Sequence, residues 1–241
     1  MTGFVHSFES MAAVDGDGLR CAVFLAGCPM RCVYCHNPDT WHTEGGRQTE
    51  AEALVKKIAR YKPYFGKDGG VTFSGGEPLA QAEFLRSMMP LLAEQGIRYA
   101  VDTAGGVPLT ETVKEVLSGA QEVLLDLKFP DDAGHRRYTG VGIDRPLAIL
   151  DFLNAIGKKT RVRTVIVPDL NDTEEALLSY LVHLADKSCV DRYELLAFHT
   201  MGFFKYEKLG IANPLAEKKA LDPAVKQRLQ AFVDEKMNEN R

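Results

Sequence analysis

Six short apolar runs, each followed by a stretch with apolar residues at helical spacing, constrain this 241-residue chain more than any other feature of it. The runs cover 21–26, 71–74, 99–102, 123–128, 162–167 and 192–197. Residues 50–61 place Leu54, Ile58 and Tyr61 on one helical face, and 82–95 does the same with Phe84, Leu85, Met88, Leu91 and Leu92. Further helices are predicted over 109–117, 146–156, 173–186 and 223–237. Strands alternating with helices argue a parallel sheet with helical crossovers, either curled into a barrel or open and doubly wound. The residues able to do chemistry sit at or just past strand carboxyl ends: a cysteine-rich loop, then Ser74-Gly75-Gly76-Glu77, Asp102-Thr103, Asp126 with Lys128, and His199. Barrels of alternating strands and helices build their sites there. Six units are too few for a full eight-unit barrel, so the expected fold class is α/β, a partial (β/α)6 barrel open on one side to a large substrate. One domain is expected over 1–241, with a barrel core at about 20–200 and a C-terminal flap and helix at about 200–241.

Composition narrows the function classes. With 45% hydrophobic and 26% charged residues the chain is an ordinary globular one. A net charge of −4 leaves no basic footprint for nucleic acid. No signal-peptide pattern and no run of about 18 apolar residues is present, so the chain is expected to be cytoplasmic, with no membrane contact. The default expectation for assembly is a monomer.

Cys28, Cys32 and Cys35 stand at a C-x3-C-x2-C spacing. Three thiolates on one tight loop can hold three corners of a [4Fe–4S] cubane and leave the fourth iron open for chemistry. A C-x2-C pair also serves zinc and redox dithiols. Zinc would need His36 or a distant residue as fourth ligand, and a dithiol of Cys32 and Cys35 leaves Cys28 unexplained. Cys21 and Cys189 stand alone and read as core.

The remaining polar words each have a plain reading. Asp15-Gly16-Asp17-Gly18 is a turn by composition and lacks the later ligands of a calcium loop. Gly75 and Gly76 end a strand and would let backbone approach a ligand. Asp102 and Asp126 either repel one another, share a cation or are simply solvated. Arg163, inside an apolar strand, needs a partner if buried. The run 200–210 interleaves aromatics with lysines; in an acidic chain a flap against a partner protein fits better than single-stranded nucleic acid.

With these words in order, the chain resembles the radical S-adenosylmethionine (SAM) enzymes. Val14-Asp15-Gly16-Asp17-Gly18, Tyr34-Cys35-His36-Asn37, Ser74-Gly75-Gly76-Glu77-Pro78, Asp102-Thr103, Asp126-Leu127-Lys128 and Phe198-His199-Thr200-Met201-Gly202 together look like those of the pyruvate formate-lyase activases, a family of glycyl-radical-enzyme activases. The resemblance runs from about Phe4 to about Gly210. It implies the partial barrel and a [4Fe–4S] cluster on Cys28, Cys32 and Cys35. It also implies reductive cleavage of SAM to a 5′-deoxyadenosyl radical, and hydrogen abstraction from a glycine of pyruvate formate-lyase. By the same resemblance SAM would meet Tyr34, His36, Asn37, Gly75, Gly76, Glu77, Asp102, Lys128, Arg163 and His199. A monovalent cation, sodium or potassium, would lie on Asp102, Thr103, Leu124 and Asp126, and Asp15 and Asp17 would present the substrate peptide. A flavodoxin or ferredoxin would donate the electron. Asp17 stands where the family usually has proline, and Ala104 where it has asparagine. Five cysteines leave no room for the ferredoxin-like insert of some other activases. The alternatives are an activase of another glycyl-radical enzyme, a small-molecule radical SAM enzyme, and a non-catalytic zinc or redox protein.

Overall fold

The computed structural model describes residues 1–239; Asn240 and Arg241, the last two of the expected tail, lie outside the described residues. The strands are β1 (Thr2–Ala12), β2 (Arg20–Leu25), β3 (Arg47–Glu50), β4 (Gly70–Gly75), β5 (Tyr99–Thr103), β6 (Glu122–Asp126), β7 (Thr160–Ile166) and β8 (Val190–Ala197). The helices are α1 (Ala51–Ala59), α2 (Ala82–Glu94), α3 (Glu111–Gly119), α4 (Asp132–Thr139), α5 (Asp144–Ala155), α6 (Glu174–Leu184), α7 (Phe203–Leu209) and α8 (Pro223–Glu239). Hydrogen-bonded order along the sheet is β3-β1-β2-β4-β5-β6-β7-β8. The six predicted strands are thus present, and the class is α/β with six strand–helix units. No helix among the described residues is long and apolar enough to cross a membrane.

The chain divides into two compact units, one of residues 1–29 with 39–124, the other of 30–38 with the chain from 125 onward. In the first, β2 pairs in parallel with β4 and β4 with β5, and Leu25 stands opposite Gly75. Their side chains are almost wholly buried, as continuous apolar runs in a parallel sheet should be. Two strands are not among the predicted ones. β1 is an eleven-residue strand antiparallel to β2, and β3 pairs antiparallel with its first residues.

In the second unit β7 pairs in parallel with β8. Helix α4 starts at Asp131, whose carboxylate accepts from the Gly134 amide at 2.8 Å, and stops at Gly140 in the left-handed conformation that glycine adopts without penalty. Neither α4 nor α7 is among the predicted helices. The run 200–210, read as a partner-facing flap, is largely α7.

Candidate active site

The second unit carries the later part of the cysteine loop, and both unforeseen helices brace it. The amides of Arg31 and Val33, on either side of Cys32, donate to the carbonyls of Thr139 and Tyr138 at 2.7 and 3.0 Å, so the carboxyl end of α4 spends its unpaired carbonyls here. From α7, the Tyr206 hydroxyl donates to the Cys35 carbonyl at 2.9 Å and the Lys205 ammonium to Asn37 Oδ1 at 2.8 Å. Gly202 lies so close that a Cβ on it would stand 2.7 Å from the His36 carbonyl. Tyr34, 4% exposed, packs with Phe129, Val167 and Phe198, with Cys32 against the same cluster.

His36 and His199 form a pair. Their rings stack at 3.8 Å and 15°, and His36 Nε2 donates to the His199 carbonyl at 2.9 Å. Burial, then the neighbouring His199, lowers the His36 pKa to about 4, so the imidazole is neutral at physiological pH. His199 Nδ1 is buried and has no hydrogen-bond partner among the described residues.

Asp126, at the end of β6, is held between two cations. Lys128 Nζ approaches Oδ2 at 2.6 Å, and Arg163 Nε and Nη2 approach Oδ1 at 2.8 and 2.7 Å. Burial works to raise the Asp126 pKa, but Arg163 and Lys128 together outweigh it and keep the carboxyl below its usual range. Burial likewise opposes the Lys128 ammonium, and Asp126 and Cys32 overcome it, raising its pKa. The partner that a buried Arg163 requires is therefore Asp126. Burial pushes the Cys32 thiol up to about 12 although Lys128 opposes it. A thiolate there needs further positive charge, which a metal centre supplies.

In the first unit, Cys28 is placed by its amide donating to the Trp41 carbonyl at 3.0 Å. The amides of Gly76 and Glu77 donate to the carbonyls of Leu25 and Gly27 at 2.8 and 2.9 Å, which ties the turn after β4 to the segment leading into Cys28. Gly75 has φ +113°, and a Cβ on it would stand 2.4 Å from the Leu25 nitrogen. The close strand β2 thus requires this glycine whether or not a ligand approaches.

The side chain of Glu77 points into the protein. It is fully buried, and its carboxylate accepts from Thr103 Oγ1 at 2.6 Å and from the amides of Leu79, Ala104 and Gly106 at 3.1, 3.1 and 3.4 Å. Burial raises its pKa, opposed by those four donors. It is a positioning residue that fixes the turn after β5, while its amide is spent on Gly27 and its carbonyl accepts from the Ala80 amide at 3.0 Å. Thr103 spends its hydroxyl on Glu77, Asp102 Oδ2 accepts from Ser74 Oγ at 2.9 Å, and Leu124 is buried within β6.

Asp15 and Asp17 belong to the first unit. Their loop is anchored at the amino ends of the strands: the Asp15 carbonyl accepts from Thr72 Oγ1 at 2.6 Å and the Asp17 amide donates to Glu122 Oε1 at 2.6 Å. Arg20, fully buried at the start of β2, donates to the Asp17 carbonyl and faces Glu122 at 3.7 Å. The physical reason is that buried pair, which needs the loop's main-chain groups to complete its hydrogen bonds.

Chemically, the residues fit an iron–sulfur cluster with SAM. Three sulfur donors form no disulfide, and among the described residues a buried His199 nitrogen lacks a partner. Among the described residues no three His, Cys, Asp or Glu side chains are grouped to hold a single metal ion.

The profile of the radical SAM superfamily matches residues 23–181. The pyruvate formate-lyase-activating enzyme of Clostridium pasteurianum is 45% identical over 238 residues, which span 97% of this chain and 98% of that protein. The enzyme of the same name from Streptococcus mutans is 40% identical over 230 residues, 92% of this chain and 88% of that one. Among solved structures, a domain of pyruvate-formate lyase-activating enzyme from Bacteroides vulgatus superposes with a TM-score of 0.57 at 25% identity, covering 69% of this chain and 94% of that chain.

Proposed function

Because this chain belongs to the radical SAM superfamily, and within it to the pyruvate formate-lyase-activating enzymes, we propose that its protein substrate is pyruvate formate-lyase itself, with Cys28, Cys32 and Cys35 as the three cluster ligands. A glycyl-radical-enzyme activase that uses a [4Fe–4S] cluster and SAM, on the partial-barrel fold of its family, is the premise. The single observation that carries the assignment is the C-x3-C-x2-C loop with its second half fixed by α4 and α7. When bound, the cluster and SAM supply an electron, an open iron and a 5′-deoxyadenosyl radical that takes a hydrogen atom from the substrate glycine.

What the chain's own residues do is bind, orient and exclude. The three thiols must lose protons on ligation, and the buried Cys32 couples that loss most tightly to metal binding. The turn Gly75-Gly76-Glu77 offers main-chain carbonyls to the methionyl ammonium, kept in place by the buried Glu77 carboxylate. His199 offers its buried Nδ1 to the nucleoside end of SAM, and neutral His36 holds that ring by stacking on it. Tyr34 and Asn37 wall the loop. Lys128 and Arg163 meet the SAM carboxylate only to the extent that Asp126 releases them. The same reading gives a monovalent cation to Asp102, Thr103, Leu124 and Asp126; charge released from Asp126 by either partner would be replaced by the ion. A flavodoxin or ferredoxin supplies the electron, and the setting is the cytoplasm, where thiols stay reduced.

The test is electron paramagnetic resonance of the anaerobically reconstituted protein mixed with reductant, SAM and purified pyruvate formate-lyase. A glycyl-radical doublet is expected. A reduced-cluster signal perturbed by SAM without the doublet would reject this partner, and no cluster signal would overturn the cysteine assignment.

A further inference from the structure

Strand β6 ends at Asp126, and after one more bond, from the Leu127 amide to the Arg163 carbonyl at 2.9 Å, side chains hold the segment that follows. The Leu127 carbonyl accepts from Thr164 Oγ1 at 2.8 Å, and Thr164 in turn accepts from the Tyr193 hydroxyl at 3.0 Å. The next carbonyl, that of Lys128, accepts from the Tyr180 hydroxyl at 3.0 Å, and the Pro130 carbonyl accepts from His183 Nε2 at 2.6 Å. Tyr180 and His183 stand one turn apart on α6, so a single helix face grips the main chain around Lys128.

The Tyr180 bond has a forced direction. Asn171, 3% exposed, takes the Val167 amide on its Oδ1 at 2.7 Å, so its Nδ2 faces the Val165 carbonyl and the Tyr180 oxygen, each at 3.0 Å. An amide nitrogen only donates; the Tyr180 oxygen therefore accepts from Asn171, and its own hydrogen is left for the Lys128 carbonyl. Tyr180 is wholly buried, where water does not replace a lost partner. The Tyr34 hydroxyl faces the same carbonyl at 3.5 Å, too far to stand in for it. What is held this firmly is the base of a long, flexible side chain. The Lys128 ammonium lies 2.6 Å from Asp126 Oδ2 and 5.8 Å from the centre of the Tyr34 ring, and a fixed main chain limits where that ammonium can reach.

We propose that Tyr180, oriented by Asn171, is a positioning residue for Lys128; this rests on the reading above of Lys128 as a group that meets SAM. Tyr180 touches neither cofactor nor substrate. It acts by fixing the main chain from which the ammonium is aimed.

The test titrates SAM against the EPR signal of the reduced cluster in the anaerobically reconstituted protein, for wild type, Tyr180→Phe, Lys128→Gln and the double variant. Tyr99→Phe is the control, since its buried hydroxyl donates to the Val116 carbonyl at 2.7 Å in the first unit. Tyr180→Phe should weaken SAM binding about tenfold, the lower end for removing a group that orients a ligating residue from behind. In the Lys128→Gln background the same change should add almost nothing, because no ammonium is left to place. Tyr99→Phe should lower the melting temperature of the cluster-free protein as much as Tyr180→Phe does and keep wild-type SAM affinity, a comparison that stands without the Lys128 variants. Wild-type affinity in Tyr180→Phe, an equal loss of affinity in Tyr99→Phe, or additive losses in the double variant would overturn the positioning role while leaving SAM binding intact. Wild-type affinity in Lys128→Gln would instead overturn the reading of Lys128 as a group that meets SAM, and the role of Tyr180 with it.

Discussion

The hydroxyl of Tyr206 donates to the main-chain carbonyl of Cys35 at 2.9 Å, so a helix near the end of the chain holds a cysteine near its beginning. Tyr206 is 2% exposed, and its ring would still fill the same space without the oxygen. Tyr206→Phe should therefore keep its cluster but lose about 1 kcal/mol of stability, a melting shift of about 2–4 °C. It should also change the EPR signal of the reduced cluster, because the carbonyl beside one thiolate has lost its donor. Iron content, melting and EPR on one preparation check all three.

Glu77 makes a different kind of demand. Its carboxylate faces four donors, and an amide in its place would point N–H groups at N–H groups. Glu77→Gln should cost about 1–3 kcal/mol, read as a shift in the urea midpoint of the cluster-free protein. A midpoint equal to wild type would mean that the residue serves only a ligand.

Removing Asp126 takes a carboxylate from two cations whose side chains are 10% and 12% exposed. Asp126→Asn should destabilise the cluster-free protein by about 3–5 kcal/mol. Denaturation with no added monovalent salt separates this from any loss of a bound cation, since the ion pairs remain the only difference.

His36 gives the acid behaviour a sign. Outside the fold an imidazole takes a proton near pH 6.5, whereas in it His36 stays neutral down to about 4. His135, fully buried with Nδ1 bonded to the Val141 carbonyl at 2.6 Å, has its pKa lowered as well, burial leading. Between pH 6.5 and about 4 the unfolded chain binds more protons than the folded one, so stability falls as the pH falls through that window. Above it these groups add no pH dependence. Urea midpoints of the cluster-free protein between pH 7.5 and 4.5 should show the decline, and His36→Gln should flatten part of it.

The parallel core was legible because its strands are buried on both faces and read as unbroken apolar runs. β1 was not: two register shifts break its period, and Ser7, Glu9 and Ser10 interrupt any apolar face. α4 and α7 are short and bury only His135, Thr139 and Tyr206 between them, so neither has an apolar stripe to read, although Asp131 and Gly140 were available as cap and stop. Among site residues, the cysteines stood out by spacing, and Arg163 by being charged inside an apolar strand. The direction of Glu77 could not be read, since a carboxylate after two glycines looks the same facing inward or outward. The placement of Asp15 and Asp17 depends on the buried contact of Arg20 with Glu122, far along the chain, which no local pattern announces.

The braces on the cysteine loop also set an order of events during synthesis. Residues 28–37 leave the ribosome early, but the groups that hold them, at 138–139 and 202–206, come much later. For most of translation the three thiols sit on a segment without its fixed shape. The loop therefore takes its braced shape only once α4 and α7 have folded against it, so the geometry of its sulfur donors is a product of the late part of the chain.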